Sequence, residues 1–89
     1  MKEYLPLGSV VTLKKSSKKM IIIGRCQICN DVQYDYSACL FPEGYIGKDR
    51  LYVFNSDDVD TLYYVGMQND EEFAFRKVLQ EADEKLKNE

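Results

Sequence analysis

Met20-Ile21-Ile22-Ile23-Gly24-Arg25 sets three consecutive isoleucines after a lysine pair and a methionine. In an extended chain neighbouring side chains point to opposite faces, so a run with no polar alternate cannot have one wetted face. The segment is therefore expected to be the central strand of a sheet, about residues 19–26, covered on both sides.

The flanking sequence supplies its neighbours. Gly8-Ser9-Val10-Val11-Thr12-Leu13 follows a Pro-Leu-Gly breaker and is β-branched, which predicts a first strand at about 8–14. Between the two strands, Lys14-Lys15-Ser16-Ser17-Lys18-Lys19 reads as a solvated hairpin loop, or alternatively as an anion-binding tip. Gln33 to Phe41 alternates, with Tyr34, Tyr36, Ala38 and Leu40 on one face, and predicts a third strand at about 33–41. Leu51-Tyr52-Val53-Phe54 and Thr61-Leu62-Tyr63-Tyr64-Val65-Gly66 complete the set at about 51–54 and 61–66.

The period then changes. Phe75, Val78, Leu79, Ala82 and Leu86 share one helical stripe, predicting a helix over about 70–86 that packs through it. Asn69 and Glu72 have capping-box spacing, and Glu72 with Arg76 and Glu81 with Lys85 are favourable pairs one turn apart. The expected fold is α+β, one domain over 1–89: a strongly bent antiparallel five-stranded sheet or SH3-like barrel with one C-terminal amphipathic helix.

Charge limits the partners. The net charge is −3, but residues 1–25 carry six bases and one acid, while 26–89 carry six bases and fourteen acids. An acidic body is repelled by phosphate backbones, so nucleic-acid binding is disfavoured. No apolar run is long enough to cross a bilayer, and residues 1–6 lack the apolar stretch of a secretory signal, which places the expected chain in the cytoplasm. Three cysteines fit a reducing compartment.

The chemically suggestive residues have bland readings. Cys26 and Cys29 have C-x-x-C spacing, but zinc needs four ligands, the chain has no histidine, and the pair leaves a strand rather than opening a helix. Incidental thiols are the expectation, with zinc and dithiol exchange as alternatives. Asp57, Asp58 and Asp60 show only the crowded start of a calcium loop, and capping of a helical turn by Ser56 or Asp57 is preferred. No catalytic residue and no cofactor is expected.

The aromatic residues carry the remaining signal. Phe41, Phe54 and Phe75 are expected in the core. Tyr45 and Ile46 sit in the Pro42–Gly47 turn, where solvated residues are usual, and Phe73 is hard to bury with them. Tyr63 and Tyr64 should face opposite sides of their strand, leaving at least one outside. Tyr45, Ile46, Tyr63, Tyr64 and Phe73 are thus the candidate partner-binding residues.

Leu5-Pro6-Leu7-Gly8-Ser9-Val10-Val11-Thr12-Leu13-Lys14, Met20 to Arg25, Tyr34-Asp35-Tyr36, Cys39-Leu40-Phe41-Pro42-Glu43-Gly44 and Phe54-Asn55-Ser56-Asp57-Asp58-Val59-Asp60 together resemble a small protein family of unassigned function. It occurs in low-GC Gram-positive bacteria, encoded beside type VII secretion genes and LXG polymorphic toxins. The resemblance implies a cytosolic chaperone or adaptor that binds a secreted toxin encoded nearby, or its export domain. An immunity protein that neutralises the toxin is the alternative, and a small nucleic-acid-binding barrel the third. An exposed edge strand could also pair two copies into a homodimer.

Overall fold

The computed structural model describes residues 3–87. Five strands, β1 (Val10–Leu13), β2 (Lys19–Cys29), β3 (Val32–Leu40), β4 (Leu51–Phe54) and β5 (Val59–Tyr64), precede helix α1 (Asp70–Lys87). They form one antiparallel sheet in the order β4-β3-β2-β1-β5, with β2 at its centre.

β4 and β5 are consecutive in the chain yet occupy opposite edges, joined by Asn55 and a 3-10 turn at Ser56–Asp58. A flat five-stranded sheet would separate its edges by ~19 Å. The link spans at most ~17 Å when fully extended, and much less as a 3-10 turn. The sheet must therefore curl. It does not close, because no ladder joins β4 to β5, so the structure is a bent open sheet and not a barrel.

The Asp-rich link is held at both ends. Ser56 N donates to Asp35 Oδ2 at 2.7 Å, Asp35 N donates to Asn55 Oδ1 at 3.1 Å, and Asn55 N donates to Asp58 Oδ2 at 2.9 Å. Asp58 O in turn accepts from Lys14 N at 2.9 Å. The helical turn is capped, but by Asn55 with Asp58 completing the capping box and not by Ser56 or Asp57 as expected.

β2 and β3 form a longer hairpin than their periodicity suggested. Pairing runs to Cys29 opposite Val32, and Asn30 and Asp31 turn the chain at φ 51° and 65°. Two successive left-handed residues make the hairpin turn whose twist matches that of its strands.

The core lies in the concavity, built from Tyr4, Val11, Met20, Ile22, Tyr36, Ala38, Phe54 and Leu79. Tyr36 stands at its centre, edge-on to Tyr4 at 6.0 Å and tilted against Phe54 at 5.6 Å. Its hydroxyl accepts a 2.8 Å hydrogen bond from Leu5 N, tying the N-terminal segment across the opening.

The helix docks differently from expectation. Leu79 is buried, but the rest of the docked face is polar: Glu72 and Arg76 are largely covered and Asp83 is buried. Arg25 Nη1 of β2 donates to Glu72 Oε2 at 2.6 Å, and Gln33 Nε2 of β3 donates to Asp83 Oδ1 at 2.7 Å. These charged bonds rotate the helix about a quarter turn from its apolar stripe. Phe75, expected in the core, is half exposed and lies 5.7 Å from the Arg25 guanidinium. Val78 is also exposed.

Candidate partner-binding groove

The outer, convex face of the sheet is where the Ile-rich strand departs from expectation. β2 is central, but among the described residues no element packs over its outer side, where Ile21 is half-buried and Ile23 exposed. Among the described residues the helix and Tyr4 pack on the concave side, through Leu79 and the core, leaving the outer face without a second layer.

Strand register organises this surface. Val10 pairs with Tyr64 of β5 and with Ile21 of β2; Ile21 pairs with Cys39 of β3, and Cys39 with Leu51 of β4. One residue from each strand thus forms a continuous cross-strand row, and all five are apolar or aromatic. Partners in such a row stand within side-chain contact of each other.

Part of the row floors a groove of about 430 Å³, lined by Gly8, Val10, Lys19, Ile21, Phe41, Tyr63 and Tyr64. Val10 is buried and Ile21 half-buried at its base, while Phe41, Tyr63 and Tyr64 project from its sides. Phe41 was expected in the core; it leaves β3 just past Leu40 and stands on the outer face.

Both tyrosines reach this groove because β5 does not alternate regularly. Val10 pairs with Tyr64 while the next residue, Val11, pairs with Leu62, so Tyr63 is an extra residue in a β-bulge. A bulge suspends strict alternation, so the two rings do not fall on opposite sides. Tyr63 and Tyr64 are 54% and 64% exposed, large values for adjacent strand aromatics. Lys19 Nζ sits 4.7 Å from the Tyr63 ring centroid, placing an ammonium at the groove. Lys18, next to it, pairs with Glu43 Oε1 at 2.8 Å, which holds the Glu43 carboxyl below the usual range.

The end of the groove strand is fixed by Gly66. Its amide donates to Ser9 Oγ at 3.0 Å, and Ser9 Oγ donates to Pro6 O at 2.8 Å. A Cβ on Gly66 would lie 1.9 Å from Leu7 O, so only glycine lets the two backbones cross.

The other candidates lie elsewhere. Tyr45 and Ile46 are exposed on the loop after β3 and do not line the groove. Phe73 is on the first turn of α1, half exposed, with the Arg76 guanidinium 5.3 Å from its ring. Val10 and Ile21 are strand residues in the sequence reading, Lys19 part of its lysine-rich loop and Phe41 a core residue, so none of the four is among the candidates; the isoleucine run is the signal for Ile21.

The thiols do not converge. Cys26 packs against the core, where its sulfur accepts a long 3.8 Å bond from Gln33 Nε2, and Cys29 is exposed near the hairpin end. Among the described residues no group of three Cys, Asp or Glu side chains could hold a metal ion. Burial, with Cys26 and Asp83 close by, pushes the Tyr4 hydroxyl above its ordinary range and keeps it a neutral core group. No helix among the described residues is long and apolar enough to cross a membrane.

A family model described as Domain of unknown function (DUF4176) matches residues 4–75, a span holding the whole groove. No curated protein and no solved structure matches the chain.

Proposed function

We propose, since the chain belongs to the DUF4176 family, that it is a non-enzymatic accessory protein which binds an apolar segment of a protein partner across the outer face of its sheet. The observation that carries this reading is the groove on the outer face, with Val10 buried and Ile21 half-buried at its base and the exposed rings of Phe41, Tyr63 and Tyr64 at its sides. The open face of an antiparallel sheet is normally polar, whereas this one carries Ile21, Ile23, Phe41, Tyr63 and Tyr64. Here one layer is missing, and a partner would supply it.

The lining also indicates what would fit. It offers aliphatic area, two phenol rings and one ammonium, suiting an aliphatic or aromatic side chain flanked by a carboxylate. In the cytoplasmic chaperone or adaptor role implied by the resemblance, that segment belongs to an LXG toxin of a type VII secretion system or to its export domain. Covering it would keep the toxin soluble until export, and complex formation would stabilise this small domain by mass action.

Co-expression with the toxin encoded beside it, followed by light scattering, tests the reading. The expected result is a stoichiometric complex that forms with catalytically dead toxin and is lost in a Tyr63→Ala, Tyr64→Ala variant. No complex, or one indifferent to the groove, would overturn it. The acidic body, with fourteen acids against six bases over residues 26–89, favours an immunity role as the second reading. Rescue of cells poisoned by the active toxin domain alone would select that role.

A further inference from the structure

A second uncovered apolar surface lies on α1. Because Glu72, Arg76, Leu79 and Asp83 face the sheet, the row Ala74, Val78, Ala82 one turn apart, with Phe75 beside it, lies to one side of the docked face, with Ala74 and Val78 exposed, Ala82 half-buried and Phe75 at its border beside Arg25. Val78 is 53% and Phe75 51% exposed. None of these helix residues lines the groove, so the two surfaces are separable by substitution.

The charges on the row indicate what covers it. Glu71, Val78 and Lys85 are spaced by sevens, which puts them in equivalent positions along a helix–helix seam, and both charged residues are exposed. An antiparallel copy with its two-fold axis at Val78 sets Val78 against Val78, Ala74 against Ala82, and Glu71 against Lys85 at both ends. A parallel copy would instead oppose Glu71 to Glu71 and Lys85 to Lys85. The row is thus self-complementary in one orientation only, and its alanines permit close approach of the two helices.

We infer that α1 is a homodimerisation helix, pairing with α1 of a second copy in antiparallel fashion about Val78. Three turns of helix offer less than the ~1,200 Å² of a stable standard interface, so the dimer is expected to be weak and concentration-dependent.

Sedimentation equilibrium of the full chain from 5 µM to 1 mM tests this. The wild type is expected to shift from monomer to dimer, and Val78→Asp to remain monomeric with an unchanged circular dichroism spectrum. Glu71→Lys and Lys85→Glu each oppose like charges and weaken the dimer at least fivefold, whereas the double exchange restores it. A wild type that stays monomeric throughout, a dimer that survives Val78→Asp, or a double exchange that fails to restore it would each overturn the inference. Tyr63→Ala, Tyr64→Ala leaves this dimer intact, which separates the result from that of the groove.

Discussion

Arg25 Nη1 and Glu72 Oε2 lie 2.6 Å apart with side chains only 3% and 10% exposed, so the central strand and the helix are joined by a buried ion pair. Arg76 adds a second guanidinium to the same carboxylate oxygen at 2.9 Å. The helix contributes Leu79 as its one fully buried apolar side chain among the described residues, so this cluster decides where the helix sits.

Removing one partner strands a buried charge. Glu72→Ala is expected to cost about 3–5 kcal/mol, much of the stability of a domain this size. Urea unfolding checks it. Arg25→Met with Glu72→Leu, which removes both charges at similar volume, is expected to recover most of the loss.

Acid should release the same contact. The hydrogen bond from Arg25, reinforced by Arg76, holds the Glu72 carboxyl below the usual carboxylate range against the opposing effect of burial. A depressed folded-state value means the stabilisation is complete above the unfolded value, ~4.3, and is lost as pH falls through the folded one. Urea midpoints of the wild type are expected to hold from pH 7 to about pH 5 and to drop below about pH 4. In Glu72→Gln that drop is expected to be shallower.

Gly66→Ala tests the backbone crossing beneath the groove. The added Cβ would meet Leu7 O at 1.9 Å, and backbone cannot swing aside as a side chain can. A loss of about 2–3 kcal/mol is expected, read as a lowered melting temperature. Tyr64→Ala, an exposed truncation in the same region, is expected to change stability by under about 0.5 kcal/mol.

The hairpin tip can be improved. Asp31 is exposed and held at φ 65°, a conformation that costs a side-chain residue more than glycine. Asp31→Gly converts the turn to Asn-Gly and is expected to stabilise the domain by about 0.5–1 kcal/mol in urea unfolding.

The legible parts of the fold were those written in local pattern. The isoleucine run placed β2 at the centre, and the period change located α1 to within a residue at its end. What escaped depended on pairs distant in sequence. The helix stripe was clear, but Arg25 and Gln33, some fifty residues away, determined which side of the helix docks. The bulge that brings Tyr63 and Tyr64 to one groove exists only in the register of β5 against β1. Asn30-Asp31 was a local turn signal that the sequence did carry, and the extension of β2 to Cys29 follows from it. Phe41 follows the alternation of β3 onto the face of Cys39, opposite the core residues Tyr36 and Ala38, so its place outside was legible and its aromatic bulk misled.

The junction of β1 with β5 has a kinetic meaning. Val11 and Leu62 are paired across 51 positions, whereas the β1–β2 and β2–β3 hairpins close over short turns. Closing so long a loop is entropically expensive until the hairpins exist to receive it, so β5 is the last strand to join. A ribosome-bound chain therefore carries no groove until residue 64 has emerged, and recognition of a partner there is confined to the finished protein.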